Sequence, residues 1–113
     1  MSVHPADRLQ ATEDLIIHRL AARALRRRRE LADVAVAQTR RLADQDRWRR
    51  VLQVYSITDI CRLLVSRSEE AYQLRQDSPF TRLQHKGLDF TAEEFRRRLA
   101  AASLRLAGRP VGA

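Results

Sequence analysis

The sequence predicts an all-α protein, a small bundle of about four helices, and three observations carry that prediction. Ala6 to Ser78 runs 73 residues without a glycine or proline, the residues that end helices. Apolar residues recur at helical spacing before and after residue 50. A chain of 113 residues with 44% hydrophobic and 32% charged content also has the make-up of a folded domain with a modest core. As one straight helix, residues 6–78 would reach about 110 Å at ~1.5 Å per residue. The segment must therefore fold back on itself or reach into a partner. The expected helices cover roughly 5–30, 31–54, 58–76 and 92–107, with the first half a long helix or a helical hairpin. We read residues 1–113 as a single domain, with an arginine-rich helical region at 1–50, a more compact helical core at 56–107 and a frayed tail at 108–113.

Taken in order, His4-Pro5-Ala6-Asp7 suits a helix start, because proline fits the first turn and an acid suits the positive end of the dipole. Leu9, Ile16, Ile17, Leu20 and Ala24 then share one face. Arg26-Arg27-Arg28-Arg29 covers most of the circumference at ~100° per residue, so the stripe breaks there. It resumes through Leu31, Val34, Ala35, Gln38 and Leu42. The stretch from Asp44 to Arg50 is mixed in charge, with Trp48 its one large apolar group. Arginines at the core positions exclude a sustained heptad. Residues 51–65 are the most apolar part of the chain. Val51–Tyr55 is β-branched enough for a short strand, but continuity with the preceding helix is favoured.

Ser56 with Asp59 three residues on starts a new helix, which must end by Asp77-Ser78-Pro79. Residues 79–90 form a connector with Gly87 as its pivot. Thr91 with Glu94 reads as a capping box, Phe90 with Phe95 as a staple, and Glu93/Arg97 and Glu94/Arg98 as i,i+4 pairs. Phe95, Leu99, Ala102 and Leu106 make the inward stripe of that last helix, and Gly108 ends it. Trp48, Tyr55 and Tyr72 fall at core-like positions, which leaves few aromatics for stacking single-stranded bases.

Charge narrows the partner. Twenty-one arginines stand against one lysine, the net charge is +8 and the pI about 11.2. Such a balance favours polyanions. The charge is spread, with 12 basic and 7 acidic residues in 1–50 and 10 and 7 in 51–113. Arginine in place of lysine is also what a GC-rich, bacterial-like genome produces. Cys61 is alone, so an internal disulfide is excluded and the cytoplasm is the expected compartment. Met1–Gln10 does not read as a signal peptide, and no run approaches the ~20 apolar residues that cross a bilayer.

Catalytic chemistry finds no foothold. His4, His18 and His85 are scattered, the glycines are isolated, and Glu69-Glu70 and Glu93-Glu94 are adjacent pairs that diverge by ~100° on a helix. We therefore expect a non-enzymatic protein without catalytic residues, metal, cofactor or small-molecule substrate.

One segment carries a likeness. Ile57-Thr58-Asp59-Ile60-Cys61-Arg62-Leu63-Leu64, then Ser66-Arg67-Ser68, then Ala71-Tyr72-Gln73-Leu74 resembles the helix-turn-helix of excisionase-type regulators. Pro79 through Phe90, with Glu93 and Glu94, resembles the proline-containing wing and following helix of that family. The resemblance covers about 44 residues, 56–99. It implies that the second helix enters the major groove, with Ser66, Arg67, Ser68 and Gln73 near DNA and Arg75, Arg82 and Lys86 on phosphates. Val65 stands where the family has its turn glycine, and Glu69 and Glu70 open the second helix. The alternative is a single helix from Thr58 to Gln76 packed on the first hairpin.

Arg26, Arg27, Arg28 and Arg29 form the other candidate phosphate-gripping set, since arginine binds phosphate bidentately. Two functions follow from these features. One is a nucleic-acid-binding accessory or regulatory protein, acting on duplex DNA through the arginine-rich half and a degenerate helix-turn-helix. The other is a helical protein-interaction module, with a homodimer as its simplest form.

Overall fold

The stretch free of glycine and proline is broken four times, each time by a local device rather than by a helix breaker. A computed structural model describes the backbone over residues 5–108 and the side chains from Arg8 onward. The order is α1 (Pro5–Arg27), α2 (Leu31–Ala37), α3 (Leu42–Val54), α4 (Ile57–Val65), α5 (Glu69–Gln76), a 3₁₀ turn (Pro79–Arg82), strands β1 (Gln84–His85) and β2 (Leu88–Asp89), and α6 (Glu93–Ala107). The all-α expectation stands, but the described residues form six α-helices and a small antiparallel hairpin rather than about four helices. The longest extent is 39 Å, which disposes of the long rod.

α1 is the central element and packs against α4, α5 and α6. Its inward face is Asp14, Ile17, His18, Ala21, Ala22 and Leu25, a continuous i, i+3, i+4 series. The stripe expected through Leu9, Ile16 and Leu20 lies one residue round the helix and is only half-buried. α1, expected to run to about residue 30, ends inside the arginine run: Arg28 turns out after its amide bonds the Ala24 carbonyl at 2.8 Å.

The expected helix 31–54 is two helices. α2 buries Leu31, Ala32, Ala35 and Val36, and the chain turns at residues 38–41. α3 buries only Trp48, whose ring stands edge-on to Phe80 at 5.7 Å and whose Nε1 donates to the Asp77 carbonyl at 3.2 Å. Val51–Val54 is helical, not a strand. Tyr55, expected inside, is 46% exposed, and Tyr72 is half-buried.

The single helix 58–76 is excluded by the break at residues 66–68. α4 presents Ile60, Cys61 and Leu64 to α1. Phe80, Leu83 and Phe90 complete the core, each large apolar group contributing about 1.5–3 kcal/mol on burial. The residue before α6 is Ala92, and no side chain caps the helix. Thr91 instead takes part in the hairpin: its amide bonds Asp89 at 2.8 Å, and its hydroxyl accepts from Gln84 at 2.5 Å. The Phe90–Phe95 contact is present as a stack at 5.1 Å, and Arg98 pairs with Glu94 at 2.8 Å. Leu99 is buried, but Leu106 is 42% exposed. Of the tail expected to fray, 108–113, Gly108 ends α6 and residues 109–113 lie outside the described residues.

Candidate nucleic-acid interface

The turn between α4 and α5 is built by two serines. Ser56 first starts α4 by accepting the Asp59 amide at 3.1 Å. At the other end Ser66 leaves the helix in extended backbone, φ −69° and ψ 147°, and its Oγ accepts the Ser68 amide at 3.2 Å. Ser68, also extended, caps α5 by accepting the Ala71 amide at 3.2 Å. No non-glycine residue among those described has positive φ. The turn therefore needs no glycine, and Val65 can end α4 without strain. Arg67 sits exposed at its tip.

α5 carries less positive charge than the sequence suggested. Glu69 and Glu70 occupy its first turn, where the helix dipole favours acids, and both are exposed. Gln73 donates to Glu69 at 3.1 Å, and Asp77 at the far end lies 3.7 Å from Arg47. Arg75 was expected on a phosphate; it is 5% exposed instead. Its Nη1 donates to the carbonyls of Leu64 at 3.1 Å and Ser66 at 2.6 Å, the orphan acceptors at the end of α4. Burial lowers its pKa, with Asp14 acting in the opposite sense. Arg75 locks the turn and does not face outward.

A two-stranded hairpin follows the 3₁₀ turn. Gln84 pairs with Asp89 and His85 with Leu88, so Lys86 and Gly87 form the two-residue loop. Gly87 takes φ +78°, the left-handed conformation that glycine adopts without a Cβ penalty. The root is closed by the Phe90 amide on the Leu83 carbonyl at 2.9 Å. α2 flanks the hairpin. The Gln38 side chain donates to the Gln84 carbonyl at 2.6 Å and accepts its amide at 3.0 Å, pairing with β1 as an added strand would.

The arginine run spans the end of α1, with Arg26 and Arg27 in its last turn and Arg28 and Arg29 beyond it, and the four side chains diverge. Arg26 lies beside Cys61, whose thiol is pushed up by burial and pulled back by that cation. Arg28 turns to the hairpin, where its Nη1 donates to the Lys86 carbonyl at 3.4 Å. It is also 3.4 Å from Glu30, an exposed pair of little energetic weight. Arg27 and Arg29 are exposed. The fold thus brings together Arg28 and Lys86, two candidates 58 residues apart. Arg82 sits at the hairpin root, while Arg67 and Gln73 stand at the α5 side.

Sequence reasoning missed Arg40 and Arg41, which the break between α2 and α3 places near Arg82. The available signal was Gln38, a polar residue on an otherwise apolar stripe. It marks the end of α2, not a weak core position.

Among the described residues no three His, Cys, Asp or Glu side chains are grouped to hold a metal ion, and no helix is long and apolar enough to cross a membrane. No protein-family model, curated protein or solved structure matches the chain, so the character of this surface rests on its own residues.

Proposed function

We propose that this chain is a non-enzymatic nucleic-acid-binding accessory or regulatory protein of winged helix-turn-helix type that engages duplex DNA. The observation that carries this reading is the contact of the Arg28 guanidinium, from the turn after α1, with the Lys86 backbone carbonyl at the hairpin tip. It holds an exposed arginine at the tip of a hairpin 58 residues further along the chain. The order helix, serine turn, helix, hairpin, helix over residues 57–107 supports it further. Because Glu69 and Glu70 front α5, the hairpin and its flanks supply most of the attraction to phosphate, and discrimination between bases is weak. The test is the salt dependence of binding to mixed-sequence duplex. Affinity should fall steeply as salt rises, through counterion release. Absence of binding at about 50 mM salt, on DNA and on RNA, defeats the reading.

A second reading has its own observation. Leu42 and Val54 on α3 are 74% and 75% exposed, and Leu104 on α6 is 60% exposed. These groups favour a protein-interaction module, with self-association its simplest form. Light scattering decides that form: a stable dimer supports it, and a monomer that binds no apolar dye counts against it.

A further inference from the structure

The link between α2 and α3 meets the hairpin root in an open cleft of about 330 Å³. Half of its lining, Asp77 to Arg82, comes from the segment that resembles a winged helix-turn-helix, and the other half, Gln38 to Asp44, comes from outside it and from outside the Arg26–Arg29 run. Arg40 and Arg41 enter from the link, and Arg82 enters from the last residue of the 3₁₀ turn. All three are exposed.

The local charges do not cancel. Asp44 lies 3.9 Å from Arg41, and Asp77 lies 3.7 Å from Arg47 of α3. Those two carboxylates are thus each met by a cation. Arg40 and Arg82 take part in no ion pair among the described residues. Three guanidiniums, Arg40, Arg41 and Arg82, and two carboxylates, Asp44 and Asp77, line the cleft, which leaves it positive by one charge. Bringing like charges to one place is unfavourable unless an anion joins them, and the planar guanidinium fork matches phosphate oxygens two at a time. The start of α3 lines the same cleft, and Arg41 at its N-cap supplies no side-chain bond to the first amides.

Shape selects the kind of phosphate. At this volume the cleft is at the lower limit of the ~300–1,000 Å³ typical of small-molecule pockets, and its arginines stay largely in solvent. An open groove of that kind suits a strand passing over it better than an enclosed nucleotide. Position agrees with this. From Arg82 to Lys86 the chain spans about 13 Å at ~3.3 Å per residue, which matches about four nucleotides at 3.4 Å per strand. Gln38 holds α2 to β1 between these two ends.

We propose that Arg40, Arg41 and Arg82 form a clamp for the phosphate backbone of a nucleic acid lying along the hairpin. The clamp rests on the nucleic-acid reading above and extends it to the α2–α3 link, outside the segment that resembles a helix-turn-helix. It makes binding tolerant of sequence, because phosphates carry no base information.

The experiment compares the full chain with Arg40→Gln/Arg41→Gln/Arg82→Gln and with a charge-matched control, Arg19→Gln/Arg23→Gln/Arg105→Gln, none of which lines the cleft. Fluorescence anisotropy follows a labelled mixed-sequence duplex from about 50 to about 300 mM salt. The clamp variant should flatten the slope of log K against log salt by about 2–3, near 0.9 per lost contact, and the control by less than ~1. The three single variants, read separately, locate the contact should the triple variant fail to fold. Equal changes in the clamp variant and the control overturn the clamp and leave the functional reading in place. Should the wild type bind neither DNA nor RNA, the functional reading fails and the clamp with it.

Discussion

Replacing Arg75 separates a structural arginine from a DNA-contacting one, and the geometry sets the size of the effect. The side chain is 5% exposed, and its Nη1 serves the carbonyls of Leu64 and Ser66 at 3.1 and 2.6 Å. Arg75→Met keeps most of the apolar stem and removes both bonds. Each is assisted by charge and contributes about 1.5–3 kcal/mol, and the carbonyls left behind sit at a helix end with no replacement donor. The expected loss is about 3–5 kcal/mol, a large share of the ~5–15 kcal/mol available to a domain. At ~4–8 °C per kcal/mol for a chain of this size, Tm should fall by on the order of 15–30 °C. Thermal and urea unfolding followed by far-UV circular dichroism measure it. Arg67→Ala, at the exposed tip of the same turn, is the comparison and should stay within ~0.5 kcal/mol of wild type. An Arg75→Met protein that melts with the wild type while its DNA salt slope flattens by about 1 would refute the assignment and return Arg75 to the surface.

Acid should weaken the fold through His18. Its Nδ1 donates to the Asp14 carbonyl at 2.5 Å, its Nε2 is buried without a partner, and burial pulls its pKa from 6.5 to about 4. Between those values the unfolded chain takes up a proton that the folded chain refuses, so stability falls as pH drops through the window, by up to about 3 kcal/mol. Asp14 works the other way. Burial raises its carboxyl pKa, so the contribution it makes when protonated is lost as pH rises through the folded value. Urea midpoints between pH 7 and 5 should slope for wild type and flatten for His18→Leu; parallel profiles would rule His18 out as the source. Ser68→Ala removes the α5 cap and should cost about 1 kcal/mol in the same unfolding assay. A change below ~0.3 kcal/mol would mean that Ser66 alone holds the turn.

What could be read from the chain was whatever a few neighbouring residues decide. Ser56 capping Asp59 and Pro79 closing the helix before it act within about four positions, so residue type and spacing suffice; Gly87 read only as the pivot of a connector, and the hairpin around it did not show. The capping box at Thr91 failed on the same scale. Asp89 and Gln84 compete for the Thr91 hydroxyl, and propensity does not weigh a hairpin against a helix cap. The sequence left a turn at Ser66–Ser68 and a single helix over 58–76 both open, because Val65 opposed a tight turn at positive φ; two extended serines make the turn without one.

Tertiary structure decided where the arginines stand. Composition established that the chain is basic, but a guanidinium looks the same in sequence whether it faces solvent or a carbonyl. Arg75 turns inward because α4 ends two orphan acceptors beside it. Arg28 meets the hairpin across 58 residues, and Gln38 fastens that hairpin across 46. Arg40, Arg41 and Arg82 converge only once α2 stops at Ala37 and the chain doubles back. Local propensity acts through backbone angles and the nearest side chains. The convergence of charge depends on which helix ends pack together, and that is settled by burial over the whole core.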